Sequence, residues 1–594
     1  MNESYSEKPL GGIVQLGGES YYAIRQVDKM PPFFVNLVSD CDLWLFIASN
    51  GGLTAGRVSP DKALFPYVTV DKIYDSIHHT GSQTLIRVDA VNAASIWEPF
   101  NPQKDGLYQL ERHLYKSLLG NSIVFEEVNH DLKLVFRVRW MTSDRFGVVR
   151  QSEIENRGTA GVSLEVLDGL MNILPAGAPR LVQNQSSYLV DAYKWSELDE
   201  PSGLAMYALY SAISDRAEPC ESLKANTVFC EGLSAPRIVL SSAQIDAFRR
   251  GKAVTSERLV RGVRGAYLVN SHLQLDSGAE HNWRLVADVD QSQADVVELS
   301  RRIVAGDVSR QALSASIEAG SDRLARIMAG SDGFQSTGDE IASAHHYANV
   351  VFNVLRGGMF PHQYQVDSAD FARDIRNFNQ ELYARHQALL QGLPKSIEWH
   401  ALRERIDATD DPGLQRLFNE YLPITFGRRH GDPSRPWNEF AIELKARNGD
   451  ALLTYQGNWR DIFQNWEALA LSFPEFIESM IAKFVNASTL DGYNPYRITK
   501  QGIDWEVEEP DDPWSYIGYW GDHQIIYLLK LLELSQHYHP GRLHQLLRSP
   551  VFCYANVPYR IKPFAALLRD AKHTVEFDEV LVYRADRRPK LAIQ

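Results

Sequence analysis

The sequence predicts a multidomain protein that is β first and α afterwards: a large antiparallel β-sandwich, a helical linker, then a helical domain. Three observations predict this. Short strand-like runs with turn signals recur between residues 32 and 286. Helical spacing replaces them near Asp288. And 594 residues are too many for one compact core, so two or three domains are expected.

The first strand-like run, 33–50, is apolar and aromatic and ends in the turn signal Asn50-Gly51-Gly52. Others follow at 83–88, 122–127, 132–141, 147–156 and 162–170, then at 207–211, 228–230, 237–240 and 266–273. Near-alternation in KLVFRVRWM (133–141) puts Leu134, Phe136 and Val138 on one face, with Lys133, Arg137 and Arg139 among the polar positions. Many short strands without intervening helices indicate a sandwich, assigned to residues 1–287.

Residues 294–305 and 309–328 have helical spacing, and a loop is expected at 330–338, so 288–338 reads as the linker. From 339 to 594 the pattern is helical: 339–355, 368–390, 414–421, and most clearly 461–485 and 514–538. In the first of the last two, Ile462, Trp466, Leu469 and Phe473 share a face; in the second, Ile525, Leu528, Leu529 and Leu532 are expected to do so. The 28 residues 486–513 would join these helices, against a usual connection of about 2–8, and a loop that long is commonly functional.

Composition excludes several classes. Apolar (44%) and charged (23%) contents are those of a soluble globular protein. The net charge of −14 and pI near 5.7 argue against a nucleic-acid partner. No apolar run reaches the roughly 18–20 residues of a membrane span. The start MNESYSEKPLGG has neither basic flank nor apolar signal core, so the cytoplasm is the expected compartment. The four cysteines form no CxxC pair or zinc spacing; Cys220 and Cys230 could bridge in an oxidising compartment, but reduced thiols are expected. His345-His346 and the pair His537, His539 are poorly spaced as ligands, so no metal site is assigned. The motifs GxxxxGK(S/T), GxSxG and HExxH are absent. Twelve Trp, 26 Tyr and 25 Phe suit either core packing or stacking on sugar rings, and composition does not separate the two.

Three stretches could carry chemistry. In YQGNWRDIFQNWEAL (455–469), Trp459, Arg460 and Asp461 fall at a helix start, with Gln464 and Asn465 one turn on. A guanidinium, a carboxylate and two amides make a reader of sugar hydroxyls, or else an ordinary capped helix. The stretch 491–522 interleaves carboxylates (Asp504, Glu506, Glu508, Glu509, Asp511, Asp512, Asp522) with Trp505, Trp514, Tyr516, Tyr519 and Trp520. Glycosidic cleavage needs a protonated carboxyl beside the bridging oxygen, and inverting hydrolysis needs a second carboxylate to activate water. Asp504, Glu506 and Asp512 are the acid candidates, although a solvated loop with Asp511 or Asp512 as helix cap explains most of these groups. In FGRRHGDPSRPWN (426–438), Arg428, Arg429, His430 and Arg435 could hold phosphate through guanidinium contacts, or pair with acidic loops.

The order of features resembles the family of cellobiose phosphorylase, chitobiose phosphorylase and the phosphorylase end of cyclic β-1,2-glucan synthase. The resemblance rests on FIASNGGLTAGR (46–57), ALFPY (63–67), RQSEIENRG (150–158), GNWRDIFQNWEAL (457–469) and DDPWSYIGYWGD (511–522). It implies a sandwich of the supersandwich kind joined through a linker to an α/α barrel of six-hairpin type, with Arg460 and Asp461 contacting the sugar and Asp511 and Trp514 at a second helix entry. Asn465 stands where the family often has an acidic residue. The family's Trp-Asn-Asp motif, which carries the general acid, is absent, and 257 residues from Gly338 onward are fewer than the roughly 350 a twelve-helix barrel needs. The expectation is therefore an incomplete barrel, the N-terminal portion of such a protein.

The activity this implies is glycosidic-bond phosphorolysis of a β-linked di- or oligosaccharide, with inorganic phosphate as co-substrate and no organic cofactor. An inverting hydrolase and a non-catalytic carbohydrate-binding module are the alternatives. A homodimer or a complementing C-terminal polypeptide is a further expected partner.

Overall fold

The computed structural model describes residues 10–88, 95–213, 221–427, 431–435, 440–446, 451–505, 523–557, 559–571 and 573–578. The chain divides into two compact units: Met1–Arg326 with Thr337–Ala344 and Gly431–Ile442, and Ile327–Ser336 with His345–His430 and Glu443–Gln594.

The first unit is a large antiparallel β structure. An eleven-stranded sheet runs in the order Leu10–Leu16, Glu19–Arg25, Leu110–Ser117, Ile123–Asn129, Leu134–Ser143, Gly147–Asn156, Glu280–Ser292, Lys224–Glu231, Leu204–Leu209, Lys194–Asp199, Leu259–Arg261. A five-stranded sheet runs Arg237–Val239, Gly265–Leu275, Val162–Ile173, Gly81–Val88, Ser95–Trp97, and a three-stranded one joins Phe34–Leu37, Leu43–Ala48 and Leu53–Arg57. One apolar cluster draws on all three sheets, including Leu45, Ile86, Phe136, Val166 and Trp283. The alternation in 133–141 acts as expected: Leu134, Phe136 and Val138 enter this core, while Arg137 ties Glu126, Glu153 and Glu155 together at 2.6, 2.7 and 2.8 Å.

Deep in this unit lies an ion pair. Arg150 and Asp168, both 0% exposed, bond through two guanidinium nitrogens at 2.8 Å each. Thr84, Ser152 and Trp283 also donate to the Asp168 carboxylate, at 2.6, 2.9 and 2.7 Å.

Several elements depart from the sequence reading. The run 33–50 is two strands, Phe34–Leu37 and Leu43–Ala48, and Asn50-Gly51-Gly52 turns the second into Leu53–Arg57 with Gly51 at φ 93°. Short helices Val70–Asp75, Arg180–Gln185, Ser187–Tyr193 and Ile245–Arg249 do interrupt the strands; they span five to seven residues, too short for periodicity to reveal. Gly431–Ile442 returns to this unit, where Phe440 meets Trp44 edge-on at 5.7 Å and the Ile442 amide donates to the Val58 carbonyl at 2.7 Å.

The helix Gln293–Val304 starts with a Ser292–Asp295 capping box, and Arg310–Ala329 follows. In the second unit the region 461–485 is two helices, Trp459–Ser472 and Ile477–Ala487, because Pro474 cannot continue the first. Ile462, Trp466, Leu469 and Phe473 are buried together as expected. Region 368–390 is likewise broken, into Ser368–Phe378, Gln380–Arg385 and Gln387–Gln391. Of 514–538, the described helix is Gln524–Tyr538, and its buried side chains are Gln524, Leu531 and Ser535; of the expected face, Leu528 and Leu532 pack against the core while Ile525 and Leu529 are about half exposed, so the buried stripe is rotated toward Leu531. The supposed loop 486–513 contains, in its described part, the hairpin Arg497–Thr499 and Gly502–Asp504.

Candidate functional site

The hairpin builds the site's platform. Strand Gln456–Asn458 pairs with Arg497–Thr499, which pairs with Gly502–Asp504, aligning Asn458, Arg497 and Asp504 in one cross-strand row. The strand runs directly into helix Trp459–Ser472, whose first amide donates to the Tyr496 carbonyl at 2.9 Å. Asp461 lies in the first turn, where a carboxylate suits the positive end of the helix dipole.

At this start Arg460 and Gln464 are exposed on one face and Asp461 is half-buried. Asp461 receives a long contact from the Asn458 amide, 3.5 Å, and has the His523 imidazole at 3.9 Å. Asp504 is exposed and ion-paired with Arg497, and Trp505 stacks on Tyr493 at 5.6 Å. Arg460, Asp461, Gln464, Asp504 and Trp505 thus belong to one continuous platform.

Two other candidates point elsewhere. Trp459 is 0% exposed, packed against Phe463 at 4.8 Å and Phe484 at 5.1 Å, which leaves no face for a sugar ring. Asn465, 2% exposed, donates to Asn353 Oδ1 at 2.8 Å, and its Cβ would lie 2.8 Å from a Cβ at Gly357; it is a helix-contact residue. Glu506, Glu508, Glu509, Asp511, Asp512, Trp514, Tyr516, Tyr519, Trp520 and Asp522 lie outside the described residues, as do Arg428, Arg429, His430 and Cys220. Arg435 is exposed in the segment belonging to the first unit, whereas Arg460 belongs to the second.

The sequence reading missed the anchor of this platform. Lys500, at the hairpin's turn, is 8% exposed and places its ammonium 3.1 Å from Asp370, 3.4 Å from Asp374 and 4.4 Å from the Tyr421 ring centroid. The Tyr421 hydroxyl donates to Asp370 at 2.6 Å. Burial, then the neighbouring Asp370, hold that phenol well above its ordinary value. Two carboxylates four residues apart beside buried Phe371 and Ile375 were the available signal, but a partner 130 residues away has no local signature.

Among the described residues one group could place three metal-ligand atoms within 4.8 Å: Cys41, Asp42 and Asp144. The Arg57 guanidinium already bonds Asp42 at 2.5 Å and the Asp144 carbonyl at 2.8 Å. Burial also pushes the Cys41 thiol up to about 12, so a metal would have to displace both a guanidinium and a proton. Cys41, Cys230 and Cys553 are all free thiols.

With the geometry described, the likenesses to known proteins are these. Residues 360–423, which contain Asp370, Asp374 and Tyr421, match the family model for glycoside hydrolase family 149 insertion domain 1. No curated protein matches the chain in sequence. Among solved structures, a bacterial glucoamylase in complex with acarbose is 8% identical over 91% of this chain and 69% of its own, with TM-score 0.35. A protein provisionally named a kojibiose phosphorylase, from the human microbiome, is 10% identical over 96% and 64%, with TM-score 0.29. The chain therefore spans about two thirds of the length of each. The family match supports a carbohydrate-active protein of the glycoside hydrolase or phosphorylase kind. No helix among the described residues is long and apolar enough to cross a membrane.

Proposed function

We propose that this chain acts on glycosidic bonds by phosphorolysis of a β-linked di- or oligosaccharide, and that the platform from Gln456 to Trp505 positions the sugar. The observation that supports action on carbohydrate is the match of 360–423 to a glycoside hydrolase family's insertion domain, a segment that grips the same hairpin through Lys500; the choice of phosphorolysis rests on the sequence resemblance.

In this mechanism Arg460, Gln464 and Asp461 hold hydroxyls of the sugar whose bond is broken, using exposed donors and one acceptor on a fixed helix start. A carboxylic acid protonates the bridging oxygen as the bond to the anomeric carbon breaks. Inorganic phosphate attacks that carbon and leaves as the sugar 1-phosphate, so no water-activating base is needed. Asp504, exposed and ion-paired with Arg497, is given a positioning role here. The general acid is assigned to no described residue, and a complementing polypeptide remains part of the proposal.

The test is incubation of the chain with β-linked oligosaccharides, with and without phosphate. Sugar 1-phosphate formed only with phosphate supports the reading; free sugar formed equally without phosphate replaces it with hydrolysis. Saturable glycan binding without product under either condition leaves the chain as a binding module.

A further inference from the structure

A polar cavity lies in the first unit, at one end of the five-stranded sheet, and takes no part in the function proposed above. Its volume is about 270 Å³, and its walls include His78, His79, Gln83, Asn172, Arg249 and Arg264. That is at the small end for ligand pockets, enough for one sugar ring with a charged group and too little for an oligosaccharide.

The backbone is specially shaped here. Strand Val162–Ile173 shifts register against Gly265–Leu275 between Met171 and Ile173, and the bulged residue, Asn172, has φ 56°. Its amide donates to the Thr80 hydroxyl at 2.9 Å. A bulge re-aims a side chain, and asparagine is among the residues that enter the left-handed region most readily.

The charges distinguish the cavity in an acidic chain. Arg249 is spent on Glu98 and on Asp246, a carboxylate that also lines the cavity, each at 2.8 Å. Arg264 is held only by a long ion pair, 3.8 Å to Asp191 Oδ2, while the other oxygen of that carboxylate holds Lys194 at 2.6 Å. The rings of His78 and His79 lie 6.4 Å apart, and among the described residues neither has a hydrogen-bond partner. Burial first, then His79 and Arg249, push His78 below its ordinary value, with Glu98 opposing.

We infer that this cavity binds a small oxyanion-bearing ligand, a phosphorylated or carboxylated monosaccharide or phosphate itself, through Arg264, His78 and His79. A loosely held, largely exposed guanidinium supplies a charge-assisted pair of donors, and the two imidazoles and the Gln83 amide can complete the coordination.

The experiment is carbethoxylation of the full chain with diethyl pyrocarbonate, read at His78 and His79 by mass spectrometry, in the presence of phosphate, glucose 1-phosphate, glucuronate or neutral glucose. The expected result is that an anion slows modification of both histidines and glucose does not. Protection by the first two marks a phosphoryl ligand; protection by glucuronate marks a carboxylate. Arg264→Ala is expected to weaken protection by about tenfold, the loss of one charge-assisted contact. Arg264 is more than half exposed, so this variant should fold; Gln83→Ala gives a second, smaller weakening. Arg460→Ala keeps the protection, which separates this cavity from the platform of the other unit. Unchanged modification rates with every anion overturn the inference, as does equal protection by glucose or undiminished protection in folded Arg264→Ala.

Discussion

Each unit buries charge, and the two do it differently. In the first, Asp168 receives five hydrogen bonds, two of them from Arg150, and both side chains are 0% exposed. Every donor aimed at the carboxylate comes from a strand of the sandwich. In the second, one buried ammonium, Lys500, serves two carboxylates, Asp370 and Asp374, all three at 5–8% exposure, and the exposed Arg373 stands 3.6 Å from Asp370. A closed pair fixes architecture. A cluster joining a hairpin to a separate segment depends on that segment staying in place, so it links the 360–423 region to the platform carrying Arg460.

The comparison breaks most visibly at Asp168. Asp168→Ala strands the Arg150 guanidinium in the core and is expected to cost about 3–5 kcal/mol, read by urea denaturation. Lys500→Met removes the buried cation shared by Asp370 and Asp374 in the second unit and should cost about 2–3 kcal/mol. It should also weaken glycan binding without touching glycan; unchanged affinity in a folded Lys500→Met protein would separate the cluster from the platform.

Smaller effects sharpen the contrast. Tyr421→Phe deletes only the hydroxyl bond to Asp370, a loss of about 1.5 kcal/mol in thermal stability. Arg460→Ala should leave stability unchanged, since Arg460 is exposed, and lower glycan affinity about tenfold by calorimetry, or about 1.4 kcal/mol. The smallest effect is at Asp411, which caps helix Pro412–Glu420 by accepting from the Gly413 and Leu414 amides. The His386 hydrogen bond first, then Arg385 and those amides, lower its carboxyl to about 2. A depressed folded value stabilises the fold above the ordinary carboxylate range and is lost as pH falls through about 2. Asp411→Ala is thus expected to cost about 1 kcal/mol at neutral pH, with the difference from wild type shrinking between pH 4 and 2.

The platform was only partly legible. Arg460, Asp461 and Gln464 could be placed at a helix start because a 3.6-residue apolar repeat begins beside them. Trp459 and Asn465 share that start but point into the packing, and adjacent residues on a helix differ in direction by about 100°. The rotated face of Gln524–Tyr538 has the same origin: a run of Ile and Leu offers several apolar stripes, and only the neighbouring helices select the one through Leu531.

What the sequence determined by itself was local: the alternation that makes Leu134, Phe136 and Val138 one buried face, the turn at Asn50-Gly51-Gly52, and the helix seam from Ile462 to Phe473. Each follows from a backbone period acting on neighbouring residues. What the tertiary structure decided was which distant charges meet. Arg150 finds Asp168 across two sheets, Lys500 finds Asp370 across 130 positions, and Arg264 borders the cavity of His78 and His79. Such pairings are selected by desolvation and geometry once the chain is folded, and neither leaves a mark on the order of residues.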